Sequence, residues 1–259
     1  SDLSALQPVD FEEFEDYLKV YQTPDGRTET NSRVGIARKL SCLRSFYEYL
    51  CKRQLLSENP VRLIDMPRLK EKAIIQLDPD EIAALLDYME NYGNGLTGIQ
   101  LYHYNKQKYR DIAIVTLLLG TGIRVSECVG LNISDVDFKN NGIRVLRKGG
   151  NEMVVYFGLE VEAALKDYLE LSRNKITPLS GHENALFLSG QRKRISVDAI
   201  EKMVKKYSSA ISVKTITPHK LRSTYGTALY RETGDIYLVA DVLGHSDVNT
   251  TKKHYARLS

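Results

Sequence analysis

Six residues scattered between positions 124 and 255, Arg124, Lys148, His219, Arg222, His245 and Tyr255, have the types that metal-free phosphodiester chemistry requires. Such a reaction needs a nucleophile, positive charge around the nonbridging oxygens and an acid for the departing oxygen. Tyr255 fits the first role, Arg124, Arg222 and His245 the second, and Lys148 the third. Singly, each has an ordinary alternative. An arginine is usually a surface cation, one tyrosine among sixteen is usually packing, and His245 after Gly244 can cap a helix.

The elements around these residues follow from hydrophobic period and turn signals. An apolar run over 111–119 stops at Gly120-Thr121-Gly122, as a buried helix does, and places Arg124 just beyond its end. Ile143, Val145 and Val154, Tyr156 alternate around Lys148-Gly149-Gly150-Asn151, which predicts a hairpin carrying Lys148 at or beside its tip. Helices are expected over 161–171 and 196–209, flanking a strand at 185–188. Thr217-Pro218 opens another helix with Thr217 as N-cap, so His219 and Arg222 share a face one turn apart. A helix over 236–243 is closed by Gly244, and a last one near 249–256 carries Tyr255. Glu127, one turn after Arg124, orients that arginine or a neighbouring amide. His103 and His254 are read as structural.

Toward the N-terminus, Phe11, Phe14, Tyr17, Leu18 and Tyr21 predict a helix over 11–21 that ends at Pro24-Asp25-Gly26. Ile36, Leu40, Leu43, Phe46, Tyr47 and Leu50 form the stripe of a second helix, and Asn59-Pro60 starts a short segment. Residues 66–76 read as a linker, giving a helical domain over 1–70, a linker over 71–76 and a second domain over 77–259. An amphipathic helix over 80–92 precedes Gly93-Asn94-Gly95-Leu96-Thr97-Gly98. That G-x-G-x-x-G is a false match, because a dinucleotide site needs a strand before it.

The formal charge of +3 is too mild to indicate nucleic acid, but its distribution is uneven. Arg33, Arg38, Lys39, Arg44, Lys52, Arg53, Arg62, Arg68, Lys70 and Lys72 fill one stretch, and acidic residues crowd the first thirty positions; taken alone, such a stretch is a solvated helix face. No run approaches the ~20 apolar residues of a membrane helix, and no signal peptide is evident, so the reading is cytoplasmic. Cys42, Cys51 and Cys128 lack metal or disulfide spacing and are expected to be buried thiols.

The wording around the six residues resembles the tyrosine recombinase family of phage integrases and Xer-type recombinases, over nearly the whole chain. Thr121-Gly122-Ile123-Arg124-Val125-Ser126-Glu127, with Gly130-Leu131 and Asp135-Val136-Asp137, is similar to its first-arginine box. Lys148-Gly149 resembles the hairpin lysine, His219-Lys220-Leu221-Arg222 the H-x-x-R box and Leu243-Gly244-His245-Ser246 the L-G-H box. Thr250-Thr251 with Tyr255 resembles the nucleophile segment, and 40–49 followed by Asn59-Pro60 the core-binding domain.

The resemblance implies a mainly α fold with a small β-sheet, in two domains: a helical core-binding domain and a mixed α/β catalytic domain. It implies that Tyr255 attacks the scissile phosphate to give a 3′-phosphotyrosine and a free 5′-hydroxyl, without ATP, metal or other cofactor. Arg124 and Arg222 would hold the transition state, and Lys148 would protonate the leaving oxygen. His219, at the positive end of its helix beside Arg222, is expected to stay neutral and take the tyrosine proton, while His245 at the opposite pole of its own helix donates to the phosphate. Arg33, Arg38, Lys39, Arg44, Lys70 and Lys72 become candidate phosphate contacts as the domains clamp a duplex. The implied partners are double-stranded recombination sites, a homotetramer on synapsed DNA and accessory DNA-bending proteins, in a mobile-element or integrase setting. Type IB topoisomerase relaxation and a catalytically silent DNA-binding protein are the alternatives. Tyr255 follows His245 by ten positions, one more than in many relatives, which implies a longer loop. Only four residues follow it, which implies a trimmed end or assembly through other surfaces, and there is no room for an N-terminal arm-binding domain.

Overall fold

A computed structural model describes residues 3–69, 75–147, 149–211 and 214–244. The chain divides into two compact units, Ser1–Ala73 and Ile74–Ser259.

In the first unit, α1 (Pro8–Lys19) and α2 (Arg33–Lys52) bury Phe11, Leu18, Ile36, Leu40 and Tyr47 together with Val61 and Ile64. Phe11 meets Tyr47 edge-on, with ring centroids 5.3 Å apart. The expected first helix is shorter than its apolar spacing indicates. It stops at Lys19, and Tyr21 belongs to β1 (Val20–Gln22), which pairs antiparallel with β2 (Thr28–Thr30). Pro24-Asp25-Gly26 forms that hairpin's turn, with Gly26 at φ 80°. Asn31 donates to the Leu18 carbonyl at 2.9 Å, which caps the helix end where the chain turns extended.

The second unit is built on α4 (Gly98–Thr121), which buries Ala113, Ile114, Val115, Leu117 and Leu118 and packs against α6 (Leu159–Leu171) and α8 (Pro218–Thr233). This helix begins thirteen residues before the apolar run, because its first half is amphipathic. The helix α3 (Pro79–Asn91) runs into a 3-10 turn at Tyr92–Gly95, so no strand precedes the glycines there. Next come α5 (Val125–Gly130) and a three-stranded antiparallel sheet of β3 (Val136–Asp137), β4 (Gly142–Leu146) and β5 (Glu152–Tyr156). Ile143 pairs with Val155, so Val155 shares the buried face while Val154 and Tyr156 are exposed, the reverse of the expected facing on that strand. The helices α7 (Val197–Ser208) and α9 (Ile236–Leu243) complete the described part.

The segment 185–188 is fully buried but is not a strand; it makes only single bridges, Asn132 to Ala185 and Leu188 to Arg194. Three of its four carbonyls are taken by side chains, Arg173 Nε donating to Ala185 O (3.0 Å), Tyr168 Oη to Leu186 O (3.1 Å) and Arg110 Nη1 to Leu188 O (3.0 Å), while Phe187 O accepts the Ile195 N–H at 3.0 Å. Of the cysteines only Cys128 is buried; Cys42 is exposed and Cys51 half-buried. Cys42 and Cys51 lie on the weakly covered sides of α2, whose buried stripe runs through Ile36, Leu40, Tyr47 and Leu50. No described helix is long and apolar enough to cross a membrane.

Candidate active site

The geometry starts at Gly122, the C-cap of α4. It adopts φ 62°, a left-handed conformation natural to glycine, and its N–H returns to Leu118 O at 3.1 Å. A Cβ there would run into the Tyr225 ring and the Leu243 side chain. That sharp exit delivers Arg124 to the N-cap of α5 in extended conformation. Glu127, with its side chain only 4% exposed, grips Arg124 twice: Oε2 accepts the Arg124 backbone N–H at 2.7 Å and Oε1 accepts Nη1 at 2.8 Å. The expected orienting role of Glu127 is therefore carried out on both the amide and the guanidinium. Arg124 Nη2 donates to Gly244 O at 2.9 Å, and its side chain stays 36% exposed.

Arg222 comes from α8, where Thr217 occupies the N-cap and Pro218 the first helical position, although the Thr217 side chain makes no capping bond. Its guanidinium is buried and bridges two carbonyls, Nη1 to Gly122 O and Nη2 to Leu243 O. His219 lies one turn earlier on the same helix, with an exposed side chain. Thus the two arginine forks converge on Leu243 and Gly244, consecutive residues at the end of α9. The α9 helix starts with Asp235 accepting from the amides of Tyr237 and Leu238, and ends with Gly244 at φ 62°. The last carbonyls of a helix lack intrahelical donors and carry the negative end of its dipole, so they suit cations.

Lys148, His245 and Tyr255 lie outside the described residues, as do Lys70 and Lys72. Around Lys148, Arg147 N–H donates to Asn151 O at 2.8 Å and Gly150 N–H to Arg147 O at 3.1 Å, closing the expected hairpin turn. Arg147 is a residue the sequence reading passed over. Its Nη1 and Nη2 donate to Asp241 O (3.0 Å) and Val242 O (2.5 Å), beside Gly244. The signal available was its position next to the lysine of a glycine-rich turn. Burial, reinforced by Arg124, pushes its pKa below the ordinary guanidinium value, with Glu127 and Asp241 opposing.

In the first unit Arg33 and Arg38 are exposed and make no hydrogen bond or ion pair among the described residues. Lys39 donates to Asn31 Oδ1 at 2.9 Å and sits 5.8 Å from the Tyr21 ring centroid. Arg44 departs from the expectation of a phosphate contact. It is half-buried, with Nε and Nη2 on Val61 O (3.1 and 3.0 Å) and Nη2 also on Ile64 O (3.1 Å), because the turn around Pro60–Arg62 has no ladder partner for these carbonyls. Among the described residues no group of three or more His, Cys, Asp or Glu could hold a metal.

A helical domain with a small antiparallel sheet, presenting arginine forks at the junction of two helix ends, is an architecture suited to gripping one phosphate. Residues 76–259 match the Phage integrase family. The tyrosine recombinase XerC of Caldanaerobacter subterraneus subsp. tengcongensis is 34% identical over 97% of this chain, which spans 66% of that protein. XerS of Streptococcus thermophilus is 34% identical over 96% of this chain and 75% of its own. The Tn1549 transposon integrase, solved in complex with circular intermediate DNA, superimposes with a TM-score of 0.72 at 23% identity, covering 98% of this chain and 82% of that one. The chain belongs to the phage integrase family, the tyrosine recombinases.

Proposed function

We propose that this chain is a site-specific DNA recombinase that cuts and rejoins strands through a covalent 3′-phosphotyrosine at Tyr255. The observation that carries this reading is the convergence of Arg124 and Arg222 on Gly244 and Leu243, the residues immediately ahead of His245. Two planar forks held in fixed orientation can each grip nonbridging oxygens and stabilise the charge of a pentacovalent transition state. Tyr255 Oη attacks phosphorus as the bond to the 5′-oxygen breaks. The tyrosine proton passes to His219, kept neutral by the helix N-terminus and Arg222, and Lys148 gives a proton to the departing oxygen. His245 donates to a nonbridging oxygen. NMR titration of both rings tests this division: His219 deprotonating at higher pH than His245 contradicts it.

The substrate is double-stranded DNA bearing a recombination site, in line with the DNA-bound Tn1549 relative. The first unit serves as the core-binding domain, with Arg33, Arg38, Lys39, Lys70 and Lys72 contacting phosphates. A homotetramer on synapsed DNA, aided by accessory bending proteins in the cytoplasm, completes the proposal. Two plasmid assays test it: a recombinase yields exchange products from paired candidate sites, whereas relaxation of a supercoiled plasmid lacking paired sites, without exchange, would indicate a topoisomerase instead.

A further inference from the structure

The described turn residues around Lys148 supply little rigidity of their own. Gly149 and Gly150 adopt φ 94° and 85°, conformations open to glycine, and among the described residues nothing lies within 4 Å of the position a Cβ would take at either. What ties this turn to the rest of the site is Arg147. Its backbone closes the turn through Asn151 and Gly150, and its guanidinium reaches the opposite side of the site to grip Asp241 O and Val242 O. The space at Gly244 is filled by that guanidinium, so any side chain there would collide with it. Among the described residues Nε of Arg147 is buried without a hydrogen-bond partner, while its two outer nitrogens are both bonded. Three arginines therefore share the four carbonyls 241–244: Arg147 the first two, Arg222 the third and Arg124 the last.

We propose that Arg147 is a positioning residue that bolts the β4–β5 turn to the C-terminus of α9 and through that turn governs proton delivery by its neighbour Lys148 to the leaving oxygen. Arg147 itself touches no reacting atom. This inference rests on the reading of Lys148 as the acid for the leaving 5′-oxygen. Breaking the bolt leaves phosphate binding in place and slows delivery of the proton.

The leaving atom separates these roles. A 5′-bridging sulfur departs as a thiolate and needs no proton, so it relieves a defect in the acid but not one in phosphate binding or in the nucleophile. The probe is the nicked duplex that the wild-type chain traps most from a pool with randomised arms, prepared with oxygen or sulfur at the bridging position. On the oxygen duplex, Lys148→Ala is expected to form adduct about 100- to 10,000-fold more slowly than wild type, and Arg147→Ala more slowly by a smaller factor, on the order of 10- to 100-fold. On the sulfur duplex both are expected to return close to wild type. Arg147→Lys keeps the charge but loses the fork, and is expected to behave as Arg147→Ala; it carries the comparison should the alanine variant fail to fold in a thermal melt. Equal slowing of the Arg147 variants on both duplexes, or no slowing on oxygen, overturns the inference while leaving Lys148 as the acid. A Lys148→Ala defect that sulfur does not relieve overturns the acid reading itself, and the positioning role falls with it.

Discussion

Arg124 Nη2 stands 2.9 Å from the carbonyl oxygen of Gly244, so one guanidinium joins the loop after α4 to the end of α9, 120 residues away in sequence. Arg222 makes the same join from the buried side, through Gly122 O and Leu243 O. The site is a knot of helix ends held by charge-assisted hydrogen bonds, and its stability and its chemistry are therefore coupled.

Gly122→Ala tests that coupling. The left-handed backbone and the collision of a Cβ with Tyr225 and Leu243 are expected to cost about 2–4 kcal/mol together. Urea unfolding measures the cost, and adduct formation in the folded fraction should fall as both arginines are displaced. Wild-type stability would contradict the close approach.

Replacing the buried fork by a point charge separates shape from charge. Arg222→Lys cannot bridge Gly122 O and Leu243 O in one plane, and is expected to lose about 1–3 kcal/mol of stability. Adduct formation should drop on the order of 100-fold, as for loss of one transition-state donor. Arg124→Lys, at a more exposed position, should slow the reaction comparably with a smaller loss of stability. Equal rates for wild type and either variant would show that a fork is not required.

Much of this was legible in advance, and the failures share a cause. A glycine after a helix and a proline at its first position act through local backbone geometry, so the ends of α4 and α9 were readable at Gly122 and Gly244 and the start of α8 at Pro218. Apolar spacing decides less where both structures suit it: Phe14, Tyr17 and Tyr21 fit one helix face, yet Tyr21 is in a strand. The segment 185–188 was apolar enough for a strand, but three of its four carbonyls are satisfied by Arg110, Tyr168 and Arg173, side-chain partners that no local pattern reveals. For the same reason Arg44 and Arg147 were indistinguishable in sequence from surface cations. Which arginine is a strut depends on the unpaired carbonyls it meets.

Arg44 gives a direct contrast with its neighbours. Arg44→Ala removes donors from Val61 O and Ile64 O and is expected to destabilise by about 1–3 kcal/mol. Arg33→Ala and Arg38→Ala should leave stability nearly unchanged. Each should reduce the slope of log affinity against log salt for a mixed-sequence duplex by about 0.9, the value for one lost phosphate contact. A shallower slope for Arg44→Ala at unchanged stability would restore Arg44 to the DNA-binding set.

The thiols report on packing. Complete burial pushes the Cys128 thiol well above its ordinary range, so little thiolate forms near pH 8, while Cys42 is exposed on α2. Maleimide in excess should label Cys42 readily in the native protein and Cys128 only after denaturation. Rapid native labelling of Cys128 would mean that the core around α5 opens easily.

Covalent capture reads out the nucleophile itself. A suicide duplex nicked near the scissile phosphate loses a short fragment after cleavage, so the cut strand stays on the protein. Tyr255 as nucleophile requires a denaturation-resistant protein–DNA adduct with the wild-type chain, mapped to the peptide containing Tyr255, and none with Tyr255→Phe. Adduct of equal yield with Tyr255→Phe would contradict it.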